Sequence, residues 1–146
     1  MRATRRTSPI DYTATISNAK IKLNDYWFHK ARANALRPSL RSPVIDGMPK
    51  TPSFDNGTEK AMVTYSDEAS YTTTCEQAVE GIEREDYRII IRENYFVDPM
   101  RRKTWYEIAQ IAHLERSTYY DALREALFAF ASTCSLVEIV YRASPE

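Results

Sequence analysis

Residues 104–131, TWYEIAQIAHLERSTYYDALREALFAFA, decide the fold that we predict for this chain. Thr104 is of a residue type that caps helix N-termini, and Glu107 follows it at the spacing of a capping box. We therefore predict that a helix begins at Trp105. Apolar residues then give this helix one apolar face, at Ile108, Ala109, Ile111 and Ala112.

A second helix is predicted over residues 116–131, because apolar residues recur there at offsets of three and four. Since few residues separate the two helices, we expect them to cross steeply, with the small Ala109 where they touch, as in a helix-turn-helix. An ordinary hairpin of two amphipathic helices is the alternative. The second stripe consists of Leu114, Tyr119, Ala122, Leu123, Ala126, Leu127 and Phe130.

Three residues make this prediction specific. His113 occupies the turn position that commonly has a positive φ, and His is among the few non-glycine residues enriched in that conformation. Tyr119 belongs to the apolar stripe, whereas Tyr120 points about 100° away from it. We therefore expect Tyr119 to be buried between the two helices and Tyr120 to be exposed.

A further helix is expected just upstream, from about residue 82 to residue 96. It carries Tyr87, Ile90, Ile91 and Tyr95 on one side, and Asp98-Pro99 ends it. A basic loop follows and could hold DNA phosphates, although a solvated loop is the alternative. Its charged residues are Arg101, Arg102 and Lys103.

The N-terminal third of the chain is basic and the remainder is acidic. Residues 1–50 contain ten Lys or Arg against three Asp, a net charge of +7, so the remainder carries −7. This asymmetry indicates either a polyanionic partner or a solvated basic helix that balances the acidic part. We predict a basic arm over residues 1–10 and a helix over residues 13–36 that Pro38 stops. The consecutive Tyr26, Trp27 and Phe28 cannot share one helix face, so at least one should be exposed or meet another chain.

Proline and glycine then divide the chain. An extended linker is predicted over residues 37–57 and a connecting helix over residues 58–80, where Thr72, Thr73 and Thr74 could fray or kink it. The last apolar stretch, residues 135–142, fits a short helix or a strand, and it is a candidate dimer contact or a cover on the core. The predicted fold is all-α: a basic arm and helix (1–36), a linker (37–57), a connecting helix (58–80) and a C-terminal helix-turn-helix bundle (81–142).

Composition excludes several classes of protein. No apolar run approaches the roughly 18 residues that cross a bilayer, so we expect a cytoplasmic protein. Cys75 and Cys134 are too few and too far apart to indicate a disulfide framework or a zinc site, and both are expected to be reduced. The sequence holds no paired carboxylates beside a histidine, no metal-ligand spacing and no nucleotide-binding loop. We therefore expect no enzyme and no catalytic, cofactor or metal site.

Several motifs carry a family resemblance. They are Ile108-Ala109, STYY at 117–120, ALFAFA at 126–131, EREDY at 83–87 with Tyr95, and MPKTPS at 48–53 with Asn56 and Glu59. Together they resemble the ArpU-type phage transcriptional regulators, whose C-terminal domain is similar to the promoter-reading fourth region of bacterial sigma factors. Three residues depart from the pattern: His113 replaces a common Gly, Glu115 a Ser cap, and Asp121 a basic residue.

The resemblance implies a sequence-specific regulator of phage or prophage late genes in a bacterial host, with double-stranded DNA as its partner. The helix over residues 116–131 would read the major groove, and Arg116, Tyr120 and Arg124 would form one outward ridge on it. Asp121 would be repelled by phosphates unless it meets a cytosine amine or neutralises Arg124 or Arg116, and we favour an arginine as its partner. The candidate DNA-binding residues are Arg116, Ser117, Thr118, Tyr120, Asp121, Arg124, Arg101, Arg102 and Lys103.

A second hypothesis is a helical adaptor that binds RNA polymerase or another protein and reads no DNA sequence. The zero net charge and the acidic C-terminal portion favour it. In either case the N-terminal helix or the C-terminal tail could join copies into a homo-oligomer.

Overall fold

Five α-helices make up the computed structural model, which describes residues 9–40 and 55–143. Within these ranges no strand forms, and the prediction of an all-α fold is confirmed. A short 3₁₀ turn, Pro99–Arg101, precedes the fourth helix. The helices are α1 (Tyr12–Leu40), α2 (Asp55–Glu80), α3 (Glu85–Tyr95), α4 (Trp105–Ile111) and α5 (Tyr119–Thr133).

One hydrophobic core joins all five helices. Helix α5 supplies its centre with Leu127 and Phe130, both fully buried, and α3 adds Ile90 and Ile91. Helix α1 belongs to the same core, because Leu23 and other residues of its inner face are inaccessible to solvent. A predicted linker separates this basic helix from the rest of the chain in sequence. In the structure the helix nevertheless packs against α2 and α5.

The first helix is longer than predicted. It begins at Tyr12, where the Asp11 carboxylate accepts a hydrogen bond from the N–H of Ala14 at 3.1 Å and caps the helix. The prediction that Pro38 stops the helix is wrong, since α1 continues to Leu40. A proline so close to the C-terminus removes one N–H donor, and the residues after it can still donate to the turn before.

The predicted linker is shorter than residues 37–57. Its first residues, 37–40, belong to α1, and its last, 55–57, to α2. The part between, residues 41–54, lies outside the described residues, as do residues 1–8 of the predicted basic arm. The threonine run does not interrupt α2, and within that helix Thr72 and Thr74 donate their hydroxyl hydrogens to the carbonyls of Ala69 and Ser70.

Charge joins α1 to α2. The buried Glu68 carboxylate of α2 contacts His29 and lies 3.5 Å from the Arg32 Nε. Lys30 approaches Glu76 at 3.5 Å. Part of the basic charge of the N-terminal third thus balances acidic residues of the next helix, which was one of the two interpretations of the charge asymmetry.

The C-terminal segment forms neither a helix nor a regular strand. It runs extended past the start of α1, where Ile10 and Tyr141 form an antiparallel bridge and Asp11 donates its N–H to the Val140 carbonyl at 2.8 Å. Thr15, fully buried, accepts a hydrogen bond from the Val140 N–H at 3.0 Å. Of the two roles predicted for this segment, the structure shows a cover on the chain's own core.

Candidate nucleic-acid interface

A capping box begins α4, as predicted. The Thr104 hydroxyl accepts from the Glu107 N–H at 3.3 Å, and the Glu107 carboxylate accepts from the Thr104 N–H at 3.2 Å. The hydrogen bond from the Thr104 N–H lowers the pKa of Glu107. The cap thus fixes where α4 starts, and with it the position of Trp105.

The turn after α4 has the positive φ that we predicted for His113, at 58°. The Leu114 N–H donates to the Ala109 carbonyl at 2.8 Å, and the His113 N–H to the Gln110 carbonyl at 3.1 Å. These two bonds form a Schellman motif with His113 in the left-handed position, and they satisfy carbonyls at the end of α4. The turn is therefore a defined cap that redirects the chain toward α5.

Helix α5 begins later than predicted, at Tyr119 instead of residue 116. The Thr118 N–H donates to the Glu115 carbonyl at 3.1 Å, so residues 115–118 form a tight turn ahead of the helix. Glu115 is not the cap that we predicted, because the N-cap position is Thr118, and its hydroxyl donates to the Glu115 carbonyl. Ser and Thr side chains compete with the helix for backbone groups in this way.

Because α5 starts at Tyr119, the prediction that Arg116, Tyr120 and Arg124 form one ridge on a single helix is wrong. Only Tyr120 and Arg124 lie on α5, while Arg116, Ser117 and Thr118 lie in the turn before it. All five side chains are exposed.

The two adjacent tyrosines have opposite environments, as predicted. Tyr119 is 1% exposed, and its hydroxyl accepts a hydrogen bond from the Asn94 amide of α3 at 3.0 Å. Burial raises the pKa of Tyr119. Tyr120 is 56% exposed. The burial of Tyr119 therefore sets the rotation of α5 and turns Tyr120 toward solvent.

Trp105 is a residue whose role the sequence analysis missed. Its ring lies 5.9 Å from the Tyr119 ring and 5.8 Å from the Tyr120 ring. The guanidinium of Arg116 lies over the same ring, 5.4 Å from its centre, within the range of a cation–π contact. Trp105 thus holds together the starts of α4 and α5. The signal available in the sequence was an aromatic residue at the first position of a capped helix.

Asp121 forms no ion pair with Arg116 or Arg124, and the prediction of an intrahelical partner is wrong. The carboxylate instead lies in the first turn of α5, where the positive end of the helix dipole stabilises it. The Arg116 guanidinium lies over the Trp105 ring instead. Among the described residues, the exposed Asp121 carboxylate therefore has no partner cation.

The other basic side chains of the candidate site differ in whether they are already bound to another group. Arg124 forms no ion pair with the described residues, and it borders a groove of about 300 Å³ that includes Tyr87 and Phe128. In the loop before α4, Arg101 is exposed and Arg102 donates its Nε to the Val97 carbonyl at 3.2 Å. Lys103 is bound to Glu93 at 2.7 Å, a hydrogen bond that raises the pKa of its ammonium group.

Other kinds of site find no support in the described ranges. Residues 9–40 and 55–143 contain no grouping of His, Cys, Asp or Glu side chains able to hold a metal ion. None of the helices described is both long enough and apolar enough to cross a membrane. The exposed groups around the start of α5 are thus the strongest candidate site.

The sequence is similar to that of a phage regulatory protein. Over 125 residues the sequence is 34% identical to the autolysin regulatory protein ArpU of Streptococcus phage O1205. The aligned region covers 84% of this chain and 88% of the relative. No family model matches the chain, and no solved structure matches it.

Proposed function

Because the chain belongs to the family of the phage regulatory protein ArpU, we propose that it is a sequence-specific DNA-binding transcriptional regulator. The observation that supports this most is the exposed face at the start of α5. There Arg116, Tyr120 and Arg124 stand on a unit of two helices joined by a Schellman turn, and neither arginine is paired with a carboxylate of residues 9–40 or 55–143. By the resemblance, α3–α5 would act like the fourth region of a sigma factor at late promoters.

The start of α5, with the turn ahead of it, would enter the major groove. Arg116 would donate to the O6 and N7 atoms of a guanine, and Tyr120 would pack on a thymine methyl group or bind a phosphate. Trp105 would orient Arg116, because a guanidinium held over an aromatic ring loses less freedom when it binds. Arg124, Arg101 and Arg102 would hold phosphates, which fixes the register of the protein on DNA.

Asp121 would contribute to specificity by repulsion as well as by contact. An exposed carboxylate without a cation is repelled by phosphates, and the one favourable partner in the major groove is an exocyclic amine such as the N4 group of cytosine. A DNA site that lacks such an amine at this position would therefore be rejected.

The experiment measures binding of three variants to selected and single-base-altered sites from the source genome. Arg116→Ala should reduce discrimination at one base pair by about 1–3 kcal/mol, and Arg124→Ala should weaken all DNA alike. Arg37→Ala is the matched control, since Arg37 is an exposed arginine near the far end of α1. If neither of the first two changes alters binding by a folded protein, α5 and the turn before it do not read DNA.

A second function has its own observation. On α4 the side chains of Tyr106 and Ile111 are exposed, and Met100 in the preceding turn is 91% exposed. Exposed apolar residues favour a protein partner, so an adaptor that binds RNA polymerase is the alternative proposal. Measuring DNA binding at several salt concentrations distinguishes the DNA-binding regulator from the adaptor. For a DNA-binding regulator, the logarithm of DNA affinity should fall linearly with the logarithm of salt concentration.

A further inference from the structure

Helix α1 has two different apolar faces. Its inner face carries Ile16, Ala19, Leu23 and Tyr26, all buried in the core. The opposite face carries a second set of residues, of which Ile21 is 57% exposed and Phe28 is 58% exposed. A helix that served only to cover its own core would place polar residues there.

The outer residues are spaced as in a coiled coil. Among the exposed positions of α1, one set that starts at Ile21 continues at intervals of three, four, three and four, and each member is apolar except one asparagine. Such an alternation keeps one stripe facing a partner helix over successive heptads. We refer to this stripe as the outer seam; it consists of Ile21, Asn24, Phe28, Ala31 and Ala35, all exposed.

We propose that the outer seam pairs with the same seam of a second copy of this chain, in a parallel and in-register coiled coil. In this arrangement Phe28 meets Phe28 of the partner copy, and the small Ala31 and Ala35 let the two helices approach. Asn24 meets its own counterpart, and a single polar residue within an apolar seam sets the register at a cost in stability. The proposal is independent of whether α5 reads DNA.

Charge complementarity is the reason for choosing a second copy as the partner. Lys20 and Asp25 flank the outer seam on opposite sides, and in a parallel pair the residue at position 20 of one helix faces the residue at position 25 of the other. Neither side chain forms an ion pair within the described part of its own chain. Two Lys20–Asp25 contacts would therefore form across the two-fold axis, one on each side.

A third flanking pair fits the same register. Trp27 of one copy faces Arg32 of the other, a pair suited to a cation–π contact. Within its own chain the Arg32 guanidinium already lies over the Phe28 ring, 5.5 Å from its centre, so it is held beside the seam. The helix behind the seam is fixed by the core, so little ordering is required on association.

Sedimentation velocity over a range of concentrations tests the proposal on the full chain. The wild type should form a dimer, and Phe28→Glu should convert it to a monomer with an unchanged helical circular dichroism spectrum. Met62→Glu is the matched control, because Met62 is 52% exposed on α2 and lies off the seam. A wild type that stays monomeric at the highest concentration reached, or a Phe28→Glu variant that stays dimeric, overturns the proposal.

A charge exchange tests the register. Lys20→Glu places two carboxylates opposite each other on both sides and should weaken the dimer roughly tenfold. Asp25→Lys in the same chain restores opposite charges, so the double variant should recover the affinity of the wild type. A double variant as weak as Lys20→Glu would show that the helices do not pair in this register.

Discussion

The different burial of two neighbouring tyrosines fixes the rotation of α5 about its axis. Tyr119 is buried and bonded to Asn94, whereas Tyr120 is exposed beside Trp105. We expect Tyr119→Ala to lower the free energy of unfolding by about 3 kcal/mol, because it removes a large buried side chain. Tyr120→Ala should change it by less than about 0.5 kcal/mol. Urea titrations of both variants check this, and equal losses would contradict the rotation of α5 described here.

His113 occupies a backbone conformation that glycine adopts more easily. Since its φ is 58° within a Schellman motif, His113→Gly should stabilise the protein by up to about 1 kcal/mol, after the greater freedom of glycine in the unfolded chain is counted. Thermal unfolding measures the effect. Gln110→Gly, at an exposed position within α4, is the control and should destabilise. A clear loss with His113→Gly would mean that the imidazole makes stabilising contacts.

At the scale of single helices, the capping box of α4 gives a prediction that depends on pH. Thr104→Ala should cost about 1 kcal/mol. The folded-state pKa of Glu107 is lowered, so its contribution is present above the ordinary glutamate value of about 4.3 and is lost as the pH falls through the lowered value. The stability difference between wild type and Glu107→Gln should therefore shrink in acid.

Urea midpoints at neutral pH and at successively lower pH measure this difference. Glu115→Gln is the matched control, because Glu115 is exposed in the next turn and caps no helix. A difference that stays constant into strong acid would show that the Glu107 carboxylate does not act through the cap.

The helices themselves could be predicted from the sequence, but their ends depended on local hydrogen bonds. Periodicity located α3, α4 and α5, and the residue types Thr104 and Glu107 gave the start of α4 correctly. The start of α5 could not be found in the same way. The apolar stripe already includes Leu114, yet the chain first makes a tight turn at residues 115–118. A helix that starts at residue 116 and a tight turn followed by a helix have the same apolar pattern. Periodicity therefore cannot distinguish them.

The ion pairs of the candidate site were also beyond the sequence. Arg116, Asp121 and Arg124 are close enough in sequence to suggest mutual neutralisation. Their side-chain directions depend on Trp105, which attracts Arg116, and on the turn that places Arg116 outside the helix. Spacing alone cannot show which of several possible partners a long side chain chooses.

At the scale of the whole molecule, α1 belongs to the same core as helices α3, α4 and α5. The fluorescence of the two tryptophans can show whether these helices unfold together, since Trp27 lies on α1 and Trp105 on α4. We expect the single-tryptophan variants Trp27→Phe and Trp105→Phe each to show one fluorescence transition that coincides with its own circular dichroism transition. Separate transitions would mean that α1 folds as an independent unit.

Leu23→Ala extends this test. Leu23 is fully buried on α1, so the substitution should cost about 3 kcal/mol and lower the unfolding midpoint reported by Trp105 as much as that reported by Trp27. Ser17→Ala, at an exposed position of the same helix, is the control and should leave both midpoints in place.

The extended segment that covers the start of α1 has a consequence for how the protein is made. The Val140 N–H and the Thr15 hydroxyl that it binds are 125 residues apart in sequence. At a synthesis rate of about 5–20 residues per second, a ribosome needs on the order of ten seconds to make the second partner after the first. Every new molecule therefore passes through an interval in which the residues of α1 have been made while the residues that cover its start have not. It is in this interval that the nascent chain offers cellular chaperones an apolar surface that the finished protein hides.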